Sequence, residues 1–184
     1  MKKNKIDVYL SFAAVVLAAV FLRLLPHIPN VSPIAALALF SGVKVPNWKG
    51  FILPLIAMGI SDYFLGFHTT IPFVYGSFLL IAGIGYLLRN KTSPLKVALG
   101  SASGSLLFYI VTNFGVWTSS SMYEKSINGL INCYYMGLPF LRNTLIGDLF
   151  YVGVFFLGYR LFSLLFVLML PSAQKVERHV GNTV

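Results

Sequence analysis

The sequence predicts an all-α polytopic membrane protein: a bundle of six transmembrane helices, N-terminus and C-terminus both cytoplasmic, with residues 1–184 forming a single transmembrane domain. Three observations predict it. The composition suits lipid rather than water, with 57% apolar and only 10% charged residues at a mean hydropathy of +0.80, whereas about a quarter of a soluble domain is charged. Charges, prolines and polar clusters cut the chain into six apolar segments, near 7–25, 33–44, 50–66, 70–88, 95–116 and 142–170. The cations alternate between them. With the N-terminus inside, Lys2, Lys3, Lys5, Lys44, Lys49, Arg89, Lys91, Lys96, Lys175 and Arg178 place ten positive charges on inner connections, against Arg23, Lys125 and Arg142 outside, with Arg160 left within the last segment. A bias of that size in short connections orients a bundle with its basic loops in the cytoplasm, here at the inner (plasma) membrane.

The first segment follows a basic Met-Lys-Lys-Asn-Lys start that resembles a secretory signal. It ends in Arg23-Leu24-Leu25-Pro26 without a small-residue cleavage site, so a retained helix is expected. The second is short for a span, because about 20 apolar residues are needed to cross the hydrocarbon. It either begins within the turn at residues 26–32 or forms a buried, partly broken helix, which is tolerated only where protein or a cavity covers the backbone. The third closes on Ser61-Asp62-Tyr63-Phe64-Leu65-Gly66-Phe67-His68, the fourth carries Gly76, Gly83 and Gly85, and the fifth closes on Thr112-Asn113-Phe114-Gly115-Val116-Trp117. Residues 117–140 then read as one long outer connection with Trp117, Tyr123, Tyr134, Tyr135 and Phe140. Long ordered connections in compact domains are usually functional, although such rings also make an interfacial belt. The last segment, 29 residues by this division, would reach roughly 43 Å as a helix. It must start above the bilayer, tilt, or bend near Arg160.

Composition excludes several functions. The net charge of +9 is scattered in tufts between apolar runs, not gathered on a soluble face as nucleic-acid binding requires. One cysteine, Cys133, permits neither an intramolecular disulfide nor a cysteine zinc cluster. No paired metal-ligand spacing, phosphate loop or serine triad is present, so neither an enzyme nor a bound cofactor or metal is expected.

The remaining candidates are small-residue stripes and polar groups. Ala14 and Ala18, with Ala13 and Ala19, form a flat stripe on the first helix; Gly100 and Gly104, with Ser101, Ala102, Ser103 and Ser105, form another on the fifth. Such faces let helices approach closely in lipid. They serve packing within the bundle, or, for the alanines, docking of a separate membrane partner. Arg23, Asp62, Arg142 and Asp148 converge on the outer end, where an ion pair such as Arg23 with Asp62 accounts for them as readily as a ligand does. Amides and rings at the ends of the third and fifth helices, and before the sixth, add the lining expected of an outer vestibule. His68 and Cys133 are the outer groups able to ligate a soft metal. A histidine hydrogen-bonded at the interface and a cysteine buried as a small hydrophobe are the plainer readings.

The runs Arg23-Leu24-Leu25-Pro26-His27 with Asn30, Pro33 through Phe40, Ser61 through His68, Thr112 through Trp117, and Asn143-Thr144-Leu145-Ile146-Gly147-Asp148 resemble an uncharacterised family of bacterial membrane proteins, a domain of unknown function. The likeness covers nearly the whole chain. In size, helix count, orientation and the Ala14 to Ala18 spacing, the architecture also resembles the substrate-binding S component of energy-coupling-factor (ECF) vitamin transporters. That second resemblance implies uptake of a vitamin or similar small solute through an outer pocket lined by His27, Asn30, Asp62, His68, Asn113, Trp117, Tyr134, Asn143 and Asp148. It also implies that Ala14 and Ala18 dock a transmembrane coupling subunit driven by ATPases. Some S components handle corrinoids, for which His68 or Cys133 would supply a cobalt ligand. Two alternatives stand beside it: an intramembrane enzyme using Asp62, His68 and Asp148 as acid and base at the outer face, and a structural or assembly subunit with an empty vestibule.

Overall fold

A computed structural model describes residues 5–26, 28–90 and 92–169, which contain six α-helices and no strand. They are α1 (Lys5–Leu24), α2 (Ile34–Lys44), α3 (Lys49–Leu65), α4 (Ile71–Leu88), α5 (Pro94–Ser119) and α6 (Ile127–Met169). Large apolar side chains turn outward, with Leu87 79% and Phe150 63% exposed, while Asp62 and Asp148 are 1% and 3% exposed. Water would impose the reverse distribution; a lipid solvent favours this one, because polar groups in hydrocarbon must turn to the protein interior. The helices α4, α5 and the Ile127–Leu161 stretch of α6 are long and apolar enough to cross a membrane.

The shortest helix is the most enclosed. Every residue of α2 from Ile34 to Val43 is buried, as expected of a helix that is apolar all round. It lies against α3, α4, α5 and α6, most extensively against α4. The close approach depends on two glycines. A Cβ on Gly42 would lie 2.1 Å from the Ala82 carbonyl oxygen, and one on Gly85 would lie 2.3 Å from that of Leu39. Beyond α4, the small-residue stripe of α5 packs on the same helix, with Gly104 beneath Ile81 and Gly100 beneath Leu88. The α2 core is thus enclosed by glycine-mediated contacts on one side and by rings on the other, where Phe40 stacks at 5.8 Å on Phe155 and meets Phe156 edge-on at 5.2 Å.

Two polar ties hold the C-terminal part of this buried helix. Pro54 inside α3 has no N–H, so the carbonyl of Gly50 four residues earlier loses its intrahelical donor. The Ser41 hydroxyl of α2 donates to that carbonyl at 2.6 Å. Ser41→Ala leaves the buried carbonyl without a donor and is expected to lower stability by about 1–3 kcal/mol in a detergent unfolding titration. Pro54→Ala on the same background restores the helical donor and recovers part of the loss. At the α2 C-terminus Arg89 donates to the carbonyls of Gly42, at 3.0 Å, and Val45, while resting on the Tyr86 ring. A side chain that the sequence presents as an orientation charge also caps a helix.

The largest departure from the sequence expectation lies between α5 and α6. Residues 117–140 are mostly helical, since α5 continues to Ser119 and α6 begins at Ile127, leaving only residues 120–126 as the connection. Of the rings in this stretch, Tyr134 packs onto α5, whereas Tyr135 and Phe140 stay exposed at 67% and 45%. The Tyr109 hydroxyl donates to the Tyr134 carbonyl at 2.6 Å, the Tyr134 hydroxyl donates to the Ile110 carbonyl at 2.8 Å, and the two rings meet at 5.6 Å. Gly137, a helix breaker by propensity, leaves room for the Asn113 amide, whose oxygen would lie 2.5 Å from an added Cβ. With 43 residues, α6 is about 65 Å long at about 1.5 Å per residue, well beyond the hydrocarbon thickness. It continues through Arg160 without interruption.

Candidate functional site

Asp62 stands in the last turn of α3, one residue after Ser61, and both side chains are buried. Arg23, in the last turn of α1, reaches across with Nη1 2.7 Å from Asp62 Oδ1 and also donates to the Ser61 hydroxyl. The Ser61 hydroxyl lies 2.8 Å from the Ala57 carbonyl and 3.0 Å from that of Met58, so its proton stays within α3 while its lone pair faces the guanidinium. The second carboxylate oxygen of Asp62 accepts from the Tyr75 hydroxyl of α4 at 2.9 Å. Three helices are therefore joined at one end by a charged knot. Inside a membrane such a carboxylate requires both a cation and hydrogen-bond donors.

The amides and rings of the same end form a second set. Asn113 of α5 donates to its own helix at the Tyr109 carbonyl, 2.8 Å away, and its carbonyl accepts from the Cys133 thiol at 3.3 Å. Trp117 donates from Nε1 to the Glu124 carbonyl at 2.9 Å, and Lys125 lies over the Trp117 ring while donating to the Trp117 and Ser120 carbonyls. Asn143 of α6 donates to the Pro29 carbonyl at 3.2 Å, tying the α1–α2 connection, which includes Asn30 in a left-handed conformation at φ 65°, onto α6. His68 is exposed on the α3–α4 connection, with Nδ1 2.8 Å from the Thr70 hydroxyl. His27 lies outside the described residues.

Asp148 forms a third set by itself, deeper in the bundle. Its carboxyl is buried between α2, α4 and α5, with Oδ2 2.7 Å from the Ser105 hydroxyl. It lines a crevice with Ala35, Leu39, Ile81, Ser101 and Gly104 that is too narrow for a water-sized sphere. The Ser101 hydroxyl on that lining is buried without a hydrogen-bond partner among the described residues.

The structure thus joins Asn113, Tyr134 and Trp117 along the α5–α6 seam, joins Asn143 to the connection holding Asn30, and pairs Asp62 with Arg23. It holds Asp148 with α5 and leaves His68 on the surface. Ala14 and Ala18 are exposed on the outer face of α1, while Ala19 is fully buried. The stripe thus divides between a face turned away from the bundle and one packed into it. Reading the sequence missed Tyr75, and it treated Ser101 and Ser105 only as small packing residues. Their i, i+4 spacing on the glycine face of α5 was the available signal, whereas nothing local marks Tyr75 as a partner of Asp62.

Asp148 is held by a hydroxyl, Asp62 by a cation and a phenol, and Asp62 and His68 sit on different elements. Neither carboxylate shares a hydrogen bond with the other or with His68 among the described residues. No curated protein and no solved structure matches the chain. Residues 2–170 match a family described only as a family of unknown function, DUF6580, and the chain belongs to that family.

Proposed function

We propose that this protein is a solute-binding subunit of the inner (plasma) membrane, crossing it six times with both ends in the cytoplasm. On this reading it takes up a vitamin or similar small solute in the manner of an ECF S component, with no covalent chemistry. The observation that carries the reading is the buried knot of Arg23, Asp62 and Tyr75 at the end of the bundle where the amide and aromatic side chains also collect. Ionisable groups inside a membrane are rare and tend to mark substrate or ion paths. Solute entry would part the α1–α2 connection from α6 at the Asn143 to Pro29 hydrogen bond and free Asn113, Trp117 and Tyr134 as pocket lining. The exposed Ala14 and Ala18 face would dock a coupling subunit with its ATPases, since small residues on an outward helix face permit close helix contact in lipid.

The reading predicts that purified protein shows a thermal shift with at least one member of a panel of vitamins, corrinoids included. A solute at about 100 times its Kd stabilises the bound state by about 2.7 kcal/mol. Asn143→Ala should weaken that shift, while Ala14→Leu with Ala18→Leu should leave it intact. Absence of a shift across the panel would overturn the solute reading. A second reading, an assembly subunit, is favoured by one observation: Asn113, Trp117, Tyr134 and Asn143 of the rim each already have a hydrogen-bond partner within the chain. It predicts no shift with any solute but loss of a co-purifying membrane protein in the Ala14→Leu, Ala18→Leu variant.

A further inference from the structure

We infer that Asp148, with Ser105 and Ser101 of α5, forms a proton-binding site inside the bundle, in which the Asp148 side chain carries the proton as a neutral carboxylic acid. The inference stands apart from the solute reading and rests on hydrogen count, charge and space.

The Ser105 hydroxyl has one proton and two acceptors in reach: the Ser101 carbonyl at 3.1 Å and Asp148 Oδ2 at 2.7 Å. If that proton completes the bond to the carbonyl one turn back, a common arrangement for serine in a membrane helix, the short contact to Asp148 needs a proton from the carboxyl itself. If it turns to Asp148 instead, a carboxylate that is 3% exposed would be left with a single neutral hydrogen bond. An uncompensated buried charge is far costlier than a neutral acid. Asp62 shows what an ionised carboxylate requires in this protein, with Arg23 on one oxygen and the Tyr75 hydroxyl on the other.

Among the described residues no cation of the surrounding helices pairs with Asp148. From α2, Lys44 lies 4.8 Å from the Tyr159 ring and 5.8 Å from that of Phe156, about three and two turns further along α6. From α4, Tyr75 serves Asp62. From α5, Tyr109 donates to the Tyr134 carbonyl. On α6 itself, Arg142 and Arg160 are exposed. The groups that face Asp148 across the crevice are Ala35, Leu39, Ile81, Gly104 and Ser101. Since that crevice admits no water-sized sphere, a hydrated carboxylate has no room there, which favours the neutral acid. The Ser101 hydroxyl on the same lining is buried with no hydrogen-bond partner among the described residues. Release of the proton to bulk water then requires α5 or α6 to part from α2 and α4.

Infrared difference spectroscopy of the intact protein in lipid vesicles tests this, since only five acidic side chains contribute to the carboxyl region. At neutral pH the protein should show a protonated-carboxyl C=O band that shifts in heavy water. Asp148→Asn should abolish it while keeping the fold, because the amide is close in shape to the neutral acid. Asp62→Asn should leave the band in place, and Ser105→Ala should move it by removing the hydroxyl that accepts from it. The Ser105→Ala measurement keeps the test decisive should Asp148→Asn fail to fold. A spectrum lacking the band at neutral pH, a band unmoved by Ser105→Ala or retained in Asp148→Asn, or a band erased by added sodium would overturn the inference.

Discussion

Arg23→Met is expected to lower stability by about 3–5 kcal/mol, read as a fall in the unfolding midpoint in detergent, because it strands a carboxylate that is only 1% exposed. The loss arises from an unpaired charge, not from a weakened favourable contact. Arg23 supplies the cation at 2.7 Å from Oδ1, and the Tyr75 hydroxyl at 2.9 Å from Oδ2 cannot replace it. Removing the whole knot should therefore be far milder than removing one member. The triple variant Arg23→Met, Asp62→Leu, Tyr75→Phe exchanges the buried ionic set for apolar side chains of similar size, and it should recover most of the stability lost by Arg23→Met alone. If the triple variant is as unstable as the single one, side-chain packing rather than charge pairing holds these three helices together. If the solute reading is correct, the triple variant also separates stability from function, since it restores the fold while removing the polar group offered to a ligand.

Replacing Gly42 with alanine should cost about 3 kcal/mol or more, at the upper end of overpacking effects. The added carbon would fall 2.1 Å from the Ala82 carbonyl oxygen and 2.9 Å from the Tyr86 nitrogen, and neither atom can move aside by changing rotamer. The α2 and α4 backbones would have to separate. That in turn would pull the Gly42 and Val45 carbonyls from Arg89 and loosen the cap at the α2 C-terminus. Gly85→Ala should act alike, 2.3 Å from the Leu39 carbonyl oxygen, and the double variant should cost less than the sum of the two because one separation relieves both clashes. Gly76→Ala on α4 is the control. Nothing lies within 4 Å of its added carbon, so it should be neutral or stabilise by up to about 1 kcal/mol through helix propensity. Equal losses at Gly42 and Gly76 would show that glycine flexibility, and not helix contact, is what matters in this bundle.

Each of the six apolar segments legible in the sequence is a helix, because in a medium without water the backbone can satisfy itself locally only as helix and the side chains need only be apolar. The same composition marked the protein as one for a membrane. For the short second segment the sequence left two readings, a start within the 26–32 turn or a buried, partly broken helix; the structure gives an unbroken helix from Ile34 to Lys44, buried from Ile34 to Val43. Residues 117–140 were misjudged because Asn132, Gly137, Pro139 and Arg142 interrupt hydropathy, the measure that locates a span. Their helix is held by Tyr109, Ile110 and Asn113 of α5, partners twenty or more residues away. Of the candidate site, the identities of Arg23, Asp62 and Asp148 were legible, since charges stand out in an apolar chain. What holds each charge was not. Asp62 and Asp148 look alike in sequence, and only the packing of α1 and α4 around one and α5 around the other gives the first a guanidinium and a phenol and the second a lone hydroxyl. Local composition determined which segments are helices and suited them to lipid, because both depend on a residue and its near neighbours. The tertiary structure decided which charge is paired and which glycine is indispensable, because both depend on atoms that helix packing brings within about 3 Å from distant parts of the chain.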